Sequence, residues 1–192
     1  MVVEVRHTPV SPAGVRRRDR ETALAAIRYE RSLFDAGARS WRDLRSDSDT
    51  TTMFVNAWCH GAPGIGLARM SGLTSLDDRE VRLEIEAAVE TTLREGFEMN
   101  HSLCHGALGN LELPMAAGRA FGRTDWQSEV DSATRQILRR LTSCGPICGS
   151  LAGIETPGFM NGLAGIGYGL LRLAHPDRVP SVLTMEAPRR GR

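Results

Sequence analysis

Lysine is absent. All 24 basic side chains are arginine, set against 23 acidic ones, for a formal charge of +1. That balance excludes a large field of one sign, and so the electrostatic footprint of a nucleic-acid or anionic-membrane binder. The arginine bias itself is what a GC-rich bacterial genome produces without any functional demand. Long apolar runs are also missing. The longest, "FMNGLAGIGYGLLRLA", is broken by an asparagine and four glycines and falls short of the ~20 residues a bilayer demands. The N-terminus "MVVEVRHTPVSPAGVRRRD" has no apolar stretch of the secretory kind. No membrane span is expected, and the expected location is the cytoplasm, where four cysteines stay reduced and available as metal ligands or nucleophiles. Strand alternation is scarce as well, and "PSVLTM" near the end is too short to build a sheet.

A chain of 192 residues is about one domain and long enough to bury a core. Residues 1–20, with the cluster Arg16, Arg17 and Arg18, read as a flexible arm, residues 21–184 as the domain, and residues 185–192 as a disordered basic tail. In "DRETALAAIRYERSLFDAG" the residues Leu24, Ile27, Leu33 and Phe34 share a helical face, with Gly37 as the stop. Residues 42–52 form a polar linker. Two further helices are expected to start at Ser75 and at Thr124, each paired three residues on with Asp78 or Gln127. Their apolar faces are Val81, Ile85, Ala88, Val89 and Phe97 in the first, and Trp126, Val130, Ala133, Ile137, Leu138 and Leu141 in the second. Gly145 ends the latter.

Between these amphipathic helices lie glycine-rich segments that repeat. "HGAPGIGLAR" at 60, "HGALGNLELP" at 105 and "NGLAGIGYGL" at 161 align, at the spacing of helical-hairpin arrays in which each unit buries its apolar face against its neighbours. The expected fold class is therefore all-α. "GAPGIG" and "GLAGIG" resemble phosphate-binding loops, but no strand–turn–helix context surrounds them, and close approach of packed helices accounts better for the glycines.

The triplet Cys-His-Gly occurs twice, at 59–61 and 104–106. If each glycine-rich segment opens an inner helix, Cys59 and the pair Cys104–His105 converge at one end of the array. Two thiolates and an imidazole form a zinc set with one open position, as catalytic rather than structural zinc sites have. Three alternatives stand beside this: the cysteines are small buried hydrophobes, the triplets only start helices, or Cys144 or Cys148 completes a four-ligand structural site. His60 is a ligand, a partner of a ligand, or a turn residue. His7, His101 and His175 lie outside the repeat and read as surface or packing residues.

"WCHGAPGIGLAR", "SLCHGALGN" and "ETPGFMNGLAGIGYGLLRL", followed by "DRVPSVL" and preceded by "YERSLF", resemble the C-terminal cyclase region of class II lanthipeptide synthetases, the lanthionine synthetase C-like family. The resemblance covers about residues 22–188. It implies part of an α/α toroid in which Cys59, Cys104 and His105 hold zinc. It also implies a dehydrated precursor peptide as partner, whose cysteine adds to dehydroalanine or dehydrobutyrine to give a lanthionine or methyllanthionine thioether. The family's acid/base histidine and aspartate belong to repeats upstream of the "YERSLF" helix, so no residue here matches them, and His60 is the remaining catalytic candidate. The chain is thus expected to act with the remaining part of a synthetase, or to self-associate through an apolar flank of its first repeat. The alternative is a non-catalytic zinc- and peptide-binding module, or a remnant of a truncated synthetase.

Overall fold

The computed structural model describes residues 17–45 and 53–187. Helices dominate, as the glycine-spaced repeats and amphipathic stretches require. Helix α1 spans Arg17–Arg31 and is followed by a short antiparallel hairpin, β1 (Phe34–Asp35) and β2 (Ser40–Trp41). A second hairpin, β3 (Asn56–Ala57) and β4 (His60–Gly61), leads into α2 (Ala62–Leu76) and α3 (Arg79–Glu95). Helices α4 (Ala107–Asn110) and α5 (Glu112–Phe121) then run into α6 (Thr124–Cys144), and α7 (Leu163–Ala174) closes the order.

The glycine-rich segments do open helices: α2, α4 and α7 begin directly after Gly61, Gly106 and Gly162. α2 packs on α3 and α5, and α5 packs on α6, so two hairpins stand side by side with their glycine-rich helices inward. The core lies among them. Ile85, Leu103, Leu111 and Leu113 have no exposed surface, and Val81, Val89, Trp126, Val130 and Ile137 close over them.

The glycines serve two purposes, of which the sequence suggested one. A Cβ on Gly66 would lie 2.5 Å from the Leu113 side chain, and one on Gly169 would lie 3.0 Å from Leu108, both in close helix approach. The repeated glycine at the third helical position does something else. A Cβ on Gly64, Gly109 or Gly165 would lie 1.9, 1.8 or 1.7 Å from the carbonyl oxygen of Trp58, Leu103 or Phe159. In every repeat the turn entering the helix folds back across its own first helical turn, and only a residue without a side chain leaves room for it.

Several boundaries differ from the sequence expectation. Residues 17–20, assigned to a flexible arm, are helical; residues 1–16, with Arg16, lie outside the described residues, as does His7. α1 ends at Arg31, well before Gly37. Ser32 bonds back to the Tyr29 carbonyl through both N–H and Oγ, and Phe34 leaves the helix to pack edge-on against Trp41, ring centroids 4.9 Å apart. Ser75 lies inside α2, and the cap of α3 is Asp78, whose carboxylate accepts from the Val81 N–H at 2.8 Å. Thr124 is the first residue of α6 rather than its cap, whereas Gly145 ends that helix at φ 74° as expected. Leu138 faces outward. Of the tail, Glu186 is fixed, its carboxylate accepting from the Ser181 N–H at 2.8 Å, while residues 188–192 lie outside the described residues.

An apolar flank was expected on the first repeat; among the described residues, exposed apolar side chains also gather on the third, where Leu151, Ile154, Phe159, Leu163 and Leu171 are all exposed and no helix follows α7.

Candidate metal centre

The turns that enter the three glycine-opened helices stack on one another through their backbones. The Cys59 N–H donates to the Cys104 carbonyl at 3.1 Å, and the Cys104 N–H donates to the Met160 carbonyl at 3.0 Å. Cys59, Cys104 and Met160 are equivalent positions in the three repeats, so one hydrogen bond recurs from unit to unit. This stacking brings residues 45 positions apart into one site. The ligand atoms of Cys59, Cys104 and His105 all lie within 4.8 Å of one another, and all three residues are half-buried. Among the described residues this is the one group of three or more histidine, cysteine or acidic side chains so placed.

Local hydrogen bonds hold the second turn rigid. Asn100 Oδ1 accepts from the Ser102 N–H at 2.9 Å, and the Asn100 carbonyl accepts from the Ala107 N–H at 2.8 Å. His105 Nε2 lies 2.9 Å from the Gly149 carbonyl oxygen. A carbonyl can only accept, so Nε2 carries the proton and Nδ1 keeps its lone pair for a metal. An imidazole oriented by a backbone carbonyl in this way is the usual arrangement of a metal-binding histidine. Gly149 is essential to the contact: a Cβ there would lie 2.7 Å from Nε2 and 2.6 Å from Ser102 Oγ.

Burial pushes the Cys59 thiol up to about 11, and its hydrogen bond to Cys104 adds to the effect. Arg45 acts the other way, favouring the Cys59 thiolate. Two soft sulfur donors and one oriented imidazole, held without a competing hard-oxygen ligand, match the donor set of zinc.

The other sequence candidates fall outside this group. Cys144 is exposed at the end of α6 and Cys148 is buried in the core, and neither joins the group within 4.8 Å. His101 is a buried packing residue whose Nδ1 accepts from the Ile147 N–H at 2.9 Å, and burial followed by the charge of Arg140 lowers its pKa. His175 caps the end of α7.

His60 is exposed and lines an open cleft of about 240 Å³ with Asp43 and Arg45. These last two were lost in the expected linker, yet their stretch is ordered by a bridge between Arg42 and Phe54. The Arg45 guanidinium grips Asp43 through Nε and Nη2, at 3.0 and 2.6 Å, and holds that carboxyl down to about 2. No periodicity marks them. Gly149 was equally hidden, because a backbone acceptor leaves no trace in residue type.

An all-α array of helical hairpins, with two cysteine thiols and an imidazole grouped where successive turns stack, defines the class of the protein. The chain belongs to the lanthionine synthetase C-like family, whose model matches residues 15–184. It is 30% identical over 146 residues to the lacticin 481/lactococcin biosynthesis protein LcnDR2 of Lactococcus lactis subsp. lactis. That match covers 70% of this chain and 16% of the relative, so the chain spans a small part of the relative's length. No helix among the described residues is long and apolar enough to cross a membrane.

Proposed function

We propose that the chain is the zinc-bearing part of a lanthipeptide cyclase domain, acting on a dehydrated precursor peptide in the cytoplasm. The observation that carries this reading is the convergence of Cys59, Cys104 and His105 within 4.8 Å, in a chain of the lanthionine synthetase C-like family. Zinc bound by these three would act as a Lewis acid that makes a peptide cysteine a thiolate near neutral pH. In the reaction the cysteine sulfur forms a bond to the β-carbon of dehydroalanine or dehydrobutyrine, the carbon–carbon double bond is consumed, and the α-carbon takes up a proton.

The chain's own residues contribute placement. The backbone ladder from Cys59 through Cys104 to Met160 fixes the donors before any metal arrives, and Gly149 sets the face that His105 presents. His60, adjacent to Cys59 on the wall of the neighbouring cleft, is the candidate for a catalytic role. Full cyclisation belongs to the chain together with the rest of a synthetase.

A second reading is a zinc-dependent binder of cysteine peptides that forms no ring. Elemental analysis of the purified chain tests what the two readings share. One equivalent of zinc, lost in Cys59→Ala, Cys104→Ala and His105→Ala, is expected, and a folded chain without zinc would refute both. Ring formation on a dehydrated peptide, alone or with the remaining synthetase segment added, separates them.

A further inference from the structure

Beside the metal group lies a cleft whose lining, His60 apart, the proposed chemistry leaves unused. Its wall includes His60 and Gly61, the two residues directly after Cys59, and its apolar lining is Leu33, Trp41, Leu44, Val55 and Ile65. Leu44 stands at this cleft 59% exposed, a large aliphatic side chain held in solvent. The acidic groups on the wall are already spent: Glu30 accepts from Arg69 at 2.7 Å, and Asp43 is gripped by Arg45. A basic side chain entering here would find both described carboxylates of the wall already paired.

We propose that this cleft is a specificity subsite that receives an apolar side chain next to the reacting cysteine of the precursor peptide. The inference rests on the reading of the metal centre as a peptide-thiol site. Continuity places it there. A cysteine held at Cys59, Cys104 and His105 has its flanking residues within one or two extended steps of about 3.5 Å, and the cleft wall begins at the residue after Cys59. Size agrees, because about 240 Å³ is below the volume that takes a drug-sized ligand whole. It suits a single side chain. Arg45, which influences both Asp43 and the Cys59 thiol, forms the polar edge between cleft and metal group.

The test titrates zinc-loaded full-length chain with fluorescein-labelled synthetic peptides. Each carries one cysteine flanked by leucine, glycine, aspartate or lysine, with a serine-for-cysteine control. The leucine peptide is expected to bind about tenfold tighter than the glycine, aspartate and lysine peptides, the effect of burying most of one aliphatic side chain. Leu44→Ser, at an exposed position, is expected to erase that preference while zinc content and helicity stay unchanged. Met185→Ser is the control. It changes an exposed residue of a separate cleft, bordered by Trp58 and Leu183, and is expected to change nothing. Absence of a leucine preference in the unaltered chain, its persistence in Leu44→Ser, or its loss in Met185→Ser instead would overturn the subsite. Equal binding of the serine peptide, with the leucine preference intact, would overturn the metal–thiol reading and leave the subsite standing.

Discussion

The backbone N–H of Cys59 donates to the carbonyl of Cys104 at 3.1 Å, and the next rung of the same ladder joins Cys104 to Met160. Two of the three proposed metal donors, Cys59 and Cys104, thus sit on rungs of a repeating backbone contact rather than on loose loops, and His105 directly follows the second. The third repeat carries Met160 and Asn161 where the second has Cys104 and His105. A thioether and an amide are weak zinc donors, so the site ends where the residue types change although the backbone continues. Preorganised donors of this kind need little rearrangement to bind a metal.

Gly149 should govern metal affinity without being a ligand. A methyl group there would lie 2.7 Å from His105 Nε2 and so must displace the ring or the carbonyl that orients it. Gly149→Ala is expected to weaken zinc binding by about 10- to 100-fold, measured by competition with a chromogenic chelator. Circular dichroism should show the helices intact. Unchanged zinc affinity would mean that the Gly149 carbonyl does not set the imidazole.

The seat of α1 is electrostatic. No residue of α1 with a described side chain is buried, while Arg69 of α2 is 3% exposed and bonds Glu84 of α3 at 2.6 Å and Glu30 of α1 at 2.7 Å. Arg31 of α1 also pairs with Glu84. Arg69→Ala removes the shared cation and leaves the half-buried Glu84 with half its partners, which should cost about 1–3 kcal/mol. Amide exchange should rise first in α1. Arg69→Lys should rescue little, since the contacts use Nε and Nη1 of one planar fork. Equal protection of α1 in wild type and Arg69→Ala would refute this.

What the sequence disclosed and what it hid divide along physical lines. Val81, Ile85, Val130 and Ile137 repeat at helical spacing because a helix with one buried face must show that pattern, and all four are buried. Cys59, Cys104 and His105 were visible because the unit that carries them is duplicated, so equivalent positions could be aligned before their contacts were known. Asp43 and Arg45 were not visible. They act as a pair on an irregular segment, and a polar stretch without period looks the same whether it lines a cleft or links two helices. Phe34 continued the helical pattern of α1 but packs on Trp41, a tertiary contact that overrode local propensity.

Asp43 predicts an acid-sensitive contribution to stability. Its carboxyl is depressed by Arg45 from 3.8 to about 2. A group whose folded pKa lies below its unfolded value stabilises the fold above the unfolded pKa, and that stabilisation fades as pH falls through the folded pKa. Asp43→Asn should therefore be less stable than wild type in urea melts at pH 6, and the gap should shrink between pH 4 and pH 2. A gap independent of pH over that window would mean that the Asp43–Arg45 pair adds nothing to folding.

The third repeat should make the chain associate with itself. α7 buries Gly165, Ile166 and Gly169 but turns Leu163 and Leu171 outward. The preceding segment adds Leu151, 91% exposed, and Ile154, 64% exposed. Exposed apolar side chains concentrated in one stretch are driven to lose water by contact with another surface. Light scattering at increasing protein concentration should show particles larger than 21.0 kDa. Leu171→Glu combined with Ile154→Glu should restore the monomer without lowering the melting temperature, because neither side chain contributes to the core. A wild-type chain that stays monomeric at high concentration would show that this face is tolerated in water and imposes no need for a partner.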